Sequence, residues 1–350
     1  MEDEALKFVW SHFQVSTEIN NIQPINQGYI NDTYLVTDDD NKQFILQRIN
    51  AKVFKNIDSL HQNFHKALLK LKCEDYTEIL LLPTRKNSLV HIQNDNYWRL
   101  LTYVNNSAAF NFTKDSKIAF EAGKLLGKFH TLLQNANQDE FADIIKNLNH
   151  LPSKISEFES GLANTKAERK EKSKHLISFA QSHKTMFNAF YEADLPVRIC
   201  HNDTKLNNLL FDVNSKKGLC FIDLDTIMKG YFHYDFGDAV RTVVSESNED
   251  EKILERIKFS TTLFEKFIEG LSVYKAILST KEIEFLPISC ALMPFMHGLR
   301  ALTDYLNGNI YYKVSYENQN LDRCQSLFEF TKHTLKEQEF IEAVIKKNLS

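Results

Sequence analysis

The chain has no cysteine framework, no excess of positive charge and no glycine-rich loop, and each absence removes a class of function. Its five cysteines are Cys73, Cys200, Cys220, Cys290 and Cys324. The number is odd and no pair has C-x-x-C spacing, so neither a disulfide scaffold nor a zinc site is expected. Lys and Arg total 42 against 46 Asp and Glu, for a formal net charge of −4. No basic patch interrupts that balance, which argues against nucleic acid as a partner. The N-terminal Met1-Glu2-Asp3-Glu4 is acidic, the reverse of a secretory signal, and no apolar run approaches membrane-spanning length. A cytoplasmic location, off the membrane and without an obligate protein partner, is the expectation. No internal repeat, low-complexity tract or long flexible linker is visible.

What is present is ample material for a core. Apolar residues make up 43% of the chain and aromatic ones 12%. At 350 residues, two lobes are expected rather than one core, divided here as residues 1–102 and 103–350. The first lobe reads as β-rich. Tyr29 to Thr37 and Gln43 to Ile49 are strands, with Asp38-Asp39-Asp40-Asn41 as the turn between them. Ile57 to Lys72 has helical apolar spacing, through Leu60, Phe64, Leu68 and Leu71. Strands are expected near Ile79 to Leu82 and Tyr97 to Val104. From Thr113 onward the pattern is helical. Lys114 to Gln134 is amphipathic, with Gly123 and Gly127 on a face that permits close packing. Residues 153–190 read as a solvated, lysine-rich helix, and 249–271, 281–307 and 320–347 complete a helical lobe.

The chemistry concentrates in His201-Asn202-Asp203-Thr204-Lys205-Leu206-Asn207-Asn208 and Ile222-Asp223-Leu224-Asp225. H-x-D-x-x-x-x-N has the spacing of a protein-kinase catalytic loop. Phosphoryl transfer needs a hydroxyl positioned, phosphates held and developing charge neutralised by metal. Asp203 is the candidate base and Lys205 the cation for the transferred phosphate. His201 reads as a residue that fixes the loop. Leu209-Leu210-Phe211 and Leu219-Cys220-Phe221-Ile222 form a hairpin around a polar turn. If Asp212 lies opposite Leu219, Asn208 lies opposite Asp223. Amide and carboxylate oxygens then share a magnesium ion, and Asp225 could hold a second. Tyr234-Asp235-Phe236-Gly237-Asp238 reads as a loop entering a helix, where Asp235 caps backbone amides or, the favoured reading, braces the catalytic loop.

Those segments, together with Gly28-Tyr29-Ile30-Asn31-Asp32-Thr33-Tyr34, Phe44 to Asn50 and Gly298-Leu299-Arg300-Ala301-Leu302-Thr303-Asp304, resemble the aminoglycoside phosphotransferase and choline kinase-like family. The N-acetylhexosamine 1-kinases are the branch most resembled. The resemblance implies an α+β, bilobal protein-kinase-like fold with a small β-rich N-lobe and a larger, mainly helical C-lobe. It also implies ATP and Mg2+, and transfer to the anomeric hydroxyl of an N-acetylhexosamine (GlcNAc or GalNAc). By the same resemblance Asp203 is base, Asn208 and Asp223 bind magnesium, and Arg300 and Tyr311 contact the sugar.

Two departures from related sequences matter. Tyr29 stands where relatives carry a histidine near the sugar, beside Asn31, and that leaves another sugar or an amino alcohol as alternative acceptors. The phosphate-binding lysine of the second strand is missing. Gln47 and Arg48 occupy its place, on opposite faces of the strand, and the following helix offers Gln62 rather than a glutamate. A catalytically silent nucleotide-binding protein is the reading that this loss keeps open, and the intact Asp203, Asn208 and Asp223 oppose it. Thr102, Tyr103 and Val104 are expected at an interlobe hinge against adenine. Arg300 lies in an apolar stretch, either paired with Asp304 or facing substrate, while Tyr311 and Tyr312 could stack on a pyranose. Arg241 and His233 are further candidates for that end.

Overall fold

The computed structural model describes residues 2–25 and 30–350, so Gly28 and Tyr29 lie outside the described residues. Helix α1 (Glu2–Trp10) precedes strands β1 (Ile19–Ile25), β2 (Asp32–Asp38) and β3 (Gln43–Ile49). Helix α2 (Ile57–Lys70) follows, then β4 (Leu81–Leu82), β5 (His91–Gln93) and β6 (Asn96–Thr102). These strands form one antiparallel sheet in the order β1-β2-β3-β6-β4, with β5 on β6. Side chains alternate between its faces. Val36, Leu46, Trp98 and Leu100 pack under Leu6, Val9, Trp10 and Phe13. Ile45, Gln47, Arg99 and Leu101 turn the other way, into a large cavity.

Beyond Thr102 the chain crosses within a few residues to β7 (Ser107–Ala108), which pairs with a strand of the catalytic hairpin. Helices α3 (Ser116–Leu133), α4 (Leu151–Asn164), α5 (Ala167–Lys172), α6 (Lys174–His183) and α7 (Asn188–Glu192) follow. Next come β8 (Val197–Cys200), β9 (Leu209–Asp212), β10 (Gly218–Phe221) and β11 (Met228–Tyr231). Helices α8 (Phe232–Val243), α9 (Thr261–Ser272), α10 (Thr280–Leu306), α11 (Gln319–Lys336) and α12 (Gln338–Leu349) end the chain. A small antiparallel-sheet region followed by a larger helical part is the protein-kinase-like phosphotransferase architecture expected from the sequence.

Gly123 permits the close packing its position implied. A Cβ there would lie 1.9 Å from the Phe267 carbonyl oxygen, and one at Gly270 would lie 1.9 Å from that of Phe120. Helices α3 and α9 therefore touch backbone to backbone, and this contact seats the catalytic hairpin, since Gly218 of β10 rests on Glu121 and Leu125 of α3.

Several expectations needed correction. Residues 153–190 are not one solvated helix but four short ones, because Phe158, Leu176, Ile177, Phe187 and Phe190 are drawn into the core with α10. Only the end of 249–271 is helical, as α9, and 320–347 divides between α11 and α12. Tyr234 to Asp238 form no loop; they are the buried first turns of α8. Helix α10 is long and apolar enough to cross a membrane by length and composition, contrary to expectation. Its most apolar window is 83% buried inside the fold, as the central helix of a helical core would be. Cys73 is exposed, the other four cysteines are buried, and all five are free thiols.

Candidate active site

The loop formed by residues 201–208 is held from below by α8. Asp235, wholly buried, accepts hydrogen bonds from the backbone N–H of His201 at 2.8 Å and of Asn202 at 2.7 Å. His130 of α3 lies 2.9 Å from the same carboxylate, and Thr204 Oγ1 donates to the Asp235 carbonyl at 2.5 Å. Asp235 is thus a brace, and His201 is structural as expected. Its Nε2 donates to the Ile222 carbonyl at 2.8 Å, which leaves Nδ1 to accept from Asp203 N at 3.2 Å. His130, Cys200 and Asp235 also cluster closely enough to suggest a metal, but the bonds just described already engage the Asp235 carboxylate. Asn202 has φ 63, and its side-chain amide donates to the carbonyls of Cys200 and Thr226 at 3.1 Å each. That bracket turns the chain sharply and presents Asp203 to the cavity.

Asp203 has Lys205 Nζ 3.0 Å from its Oδ2, and Asn208 Nδ2 donates to the same oxygen at 3.0 Å. Burial works to lower the Lys205 pKa, but Asp203 and Asp223 more than offset it and hold the ammonium charged. The hairpin register differs from expectation by one residue. Phe221 pairs with Leu209 and Cys220 with Leu210, and an irregularity between Gly218 and Cys220 shifts the ladder. Asn208 therefore faces Ile222, whose N–H it accepts at 2.9 Å. Asp223 still reaches the same cavity because its backbone is left-handed, φ 60 and ψ 51, which aspartate tolerates better than most residues. Among the described residues nothing donates a hydrogen bond to the Asp223 carboxylate. Burial, and next the neighbouring Asp225, push its pKa up to about 6. Such a group is relieved by a hard cation. With the Asn208 side-chain oxygen, it makes a donor set that fits a divalent metal.

Asp225 occupies a different setting from the one expected of a second metal ligand. Its Oδ1 lies 2.5 Å from Arg99 Nη1 and its Oδ2 accepts from Asn31 Nδ2 at 2.6 Å. Asn31 in turn accepts the Asn50 N–H at 3.0 Å, so it brackets Asp225 rather than standing free for a sugar. Gln47 and Arg48 separate cleanly. Arg48 points away from the cavity, donating to Asp32 at 2.9 and 2.7 Å beside Trp98, and its expected nucleotide contact is withdrawn. Gln47 faces the cavity and accepts twice from Arg99, at 2.9 and 2.7 Å. Gln62 on α2 is exposed and takes no part.

The cavity, of about 590 Å3, runs from an apolar end to a charged one. Thr102, Tyr103 and Val104 border the apolar end with Ile45, Ile79, Leu101, Leu210 and Ile222. That slot suits a planar base. At the opposite end stand Arg241, Glu249, His297, Arg300, Tyr311, Tyr312 and Arg323. Arg241 donates to Asp238 at 2.7 Å and contacts Glu249, which also receives Arg323 at 2.7 Å. His297 is held neutral, its pKa down to about 4, by burial and then by Arg241. Arg300 has no carboxylate within ion-pair distance among the described residues, and Tyr311 and Tyr312 border the cavity beside it. Asp304 does not pair with it. The Asp304 carboxylate instead accepts the N–H groups of Ile310, Tyr311 and Tyr312 at 2.9, 2.8 and 3.0 Å, which sets the two tyrosines at the cavity mouth.

The sequence pattern of the phosphotransferase enzyme family (APH) matches residues 21–261, more than half of the chain. The chain belongs to that phosphotransferase family. Solved structures agree in fold. A microcompartment-associated aminopropanol kinase is 15% identical over 97% of this chain and 98% of its own, with a TM-score of 0.64. An amicoumacin kinase solved in complex with AMP-PNP, Ca2+ and Ami is 12% identical over 95% of this chain and 93% of its own, with a TM-score of 0.60. A choline kinase from Cryptosporidium parvum is 14% identical over 98% and 97%, with a TM-score of 0.59.

For a phosphotransferase the placement is coherent. Asp203, Lys205, Asn208, Asp223, Gln47, Thr102, Tyr103, Val104, Arg300 and Tyr311 share one cavity. His233 does not belong to it: buried in α8, it is bonded at 2.9 Å to the Glu282 carbonyl. Sequence reasoning missed Arg99, Glu249 and Arg323. Arg99 carried a usable signal, a lone cation within Tyr97-Trp98-Arg99-Leu100-Leu101, the same oddity that drew attention to Arg300. Glu249 and Arg323 lie in ordinary polar sequence and carried none.

Proposed function

We propose that this phosphotransferase is an ATP- and magnesium-dependent kinase that phosphorylates the anomeric hydroxyl of an N-acetylhexosamine, GlcNAc or GalNAc, to the 1-phosphate. The observation that carries the sugar reading is the charge at the acceptor end. Arg300 is a half-buried cation with no carboxylate partner among the described residues, and Glu249 is already shared by Arg241 and Arg323. An ammonium group there would meet guanidinium and pay desolvation without a counter-charge. A neutral polyol with an acyl oxygen offers acceptors to those N–H groups, and Tyr311 and Tyr312 offer faces to a pyranose ring.

Position in the cavity supports the following roles. Asn208 and Asp223 would hold magnesium, which neutralises charge on the transferring phosphoryl group. Asp203 accepts the proton of the attacking hydroxyl as the oxygen–phosphorus bond forms and ADP departs. Lys205, 3.0 Å from Asp203, spreads the charge of the transferred group. Free, mostly buried thiols suit a reducing cytoplasm. The test is ADP release with ATP and magnesium over GlcNAc, GalNAc, glucose, galactose, choline and kanamycin, with Asp203→Asn as control. Turnover of the N-acetylated sugars to an acid-labile phosphate, lost in the variant, is expected. Turnover of choline or kanamycin alone would overturn the sugar reading, and silence throughout would overturn the enzyme.

A further inference from the structure

The strand lysine expected of a kinase-like nucleotide site is missing, and the tertiary structure brings another cation to its place. Strands β3 and β6 are antiparallel neighbours, and Arg99 sits directly opposite Gln47, the position where the lysine is expected. Directly opposed residues project from the same face of a sheet. Arg99 therefore enters the cavity from the row that a β3 lysine would occupy, one strand over. Thr33 of β2 completes that row, accepting from Gln47 Nε2 at 3.1 Å.

Arg99 is 0% exposed. Removing a guanidinium from water is costly and is tolerated where the partners are well placed. Here Nη1 meets Asp225 at 2.5 Å, while Nε and Nη2 meet one oxygen of Gln47. A guanidinium has five N–H groups, so these bonds leave two for a further acceptor. The group stacks 4.5 Å over Phe64 of α2, which fixes its plane. His61 of the same helix is kept neutral, its pKa down to about 4, by burial and then by Arg99, so it adds no competing charge. Asp225 lies two residues beyond the metal carboxylate Asp223 and ties this cation to the catalytic loop. It does what a helix-borne glutamate does for the strand lysine in kinases.

We propose that Arg99 is the phosphate-contacting cation of this protein, presented from β6 in place of the β3 lysine, and that Asp225 is its positioning carboxylate rather than a second metal ligand. The ligand is the polyphosphate of a nucleoside triphosphate, so the inference rests on the ATP-dependent reading above. Gln47 orients the guanidinium and has no charge of its own to offer.

Calorimetric titration of ATP, ADP and adenosine with magnesium, on the full chain, tests this. The wild type should bind ATP more tightly than adenosine. Arg99→Gln should lose about tenfold or more in ATP affinity, the scale of one charge-assisted hydrogen bond, with adenosine binding within about twofold. Gln47→Lys in that background should regain much of the loss by returning the cation to β3. Because Arg99 is buried, Gln47→Glu supplies a second variant of unchanged shape. Its carboxylate would neutralise the guanidinium and weaken ATP but not adenosine, in a protein that melts normally. Asp225→Asn should weaken ATP at saturating magnesium without shifting the magnesium midpoint. Unchanged ATP affinity in Arg99→Gln or Gln47→Glu would overturn the proposal, as would a parallel loss of adenosine or a shifted magnesium midpoint in Asp225→Asn. A wild type that binds adenosine but not ATP would overturn the kinase reading beneath it.

Discussion

Asp235 and Asp203 lie in the same site, yet replacing their carboxylates by amides should have opposite signatures. Asp235 is wholly buried and serves two backbone N–H groups and His130 within 2.9 Å. Asp235→Asn keeps the shape but converts one accepting oxygen into an NH2 group that confronts a donor. At least one buried N–H then goes unsatisfied, at about 1–3 kcal/mol, before the donor–donor repulsion is counted. For a chain of this size that corresponds to a fall in melting temperature of roughly 1–4 °C, to which the repulsion adds. Asp203 is partly exposed and accepts a side-chain hydrogen bond from Asn208 at 3.0 Å. Asp203→Asn should leave melting within about 1 °C while reducing turnover by about 100- to 10,000-fold, the range for loss of a general base. Differential scanning calorimetry and ADP release on both variants read the contrast. An Asp235→Asn protein that melts like the wild type but is inactive would refute the brace and assign Asp235 to the chemistry. One both stable and active would show that the loop needs no such support.

Arg300→Met should raise the acceptor KM at least about tenfold, since it removes charge-assisted bonds to substrate, with the KM for ATP unchanged; steady-state kinetics in both substrates checks this. Gly123→Ala would place a Cβ 1.9 Å from the Phe267 carbonyl oxygen; it should destabilise by about 1–3 kcal/mol through overpacking, read by urea denaturation. Glu282 caps α10 and binds Arg198 at 2.6 and 2.8 Å. Burial alone would raise its carboxyl, but Arg198 and Ser279 outweigh that and hold it below the ordinary value of 4.5. A depressed carboxyl contributes stability that is present above its unfolded value and lost as pH falls through the folded one. The melting difference between wild type and Glu282→Gln should therefore be largest near neutral pH and shrink below about pH 4; a difference that grows on acidification would refute the assignment.

The catalytic loop was legible because its parts are local. Asp203, Lys205 and Asn208 lie within six residues of one another, and a loop of that spacing can bring them together with little help from elsewhere. Strand β3 was readable in its bounds, Gln43 to Ile49, but not in which of Gln47 and Arg48 faces the cavity. The hairpin register was less secure. Gly218 opposite Phe211 is two residues from the expected pairing, and the irregularity between Gly218 and Cys220 reduces the departure to one at the open end. The tract 153–190 was misread for a related reason: its lysines are conspicuous, while its phenylalanines acquire meaning only against the partner α10.

The sequence alone pointed to a phosphotransferase, because Asp203, Lys205, Asn208 and Asp223 stand at kinase spacing within a short stretch. It also determined the lack of a strand lysine, and left Gln47 and Arg48 as equal candidates for the gap. Which group fills that place was decided by tertiary structure. Arg99 is 52 residues from Gln47 and 126 from Asp225 along the chain, and no local pattern connects them. Antiparallel pairing of β3 with β6 sets the row, and burial forces the guanidinium onto the nearest carboxylate. The same holds at the acceptor end, where Arg241, Glu249, Arg300 and Arg323 come from separate elements. Charge balance there exists only after the helices pack, because a partner is a matter of distance in space and not of spacing in sequence.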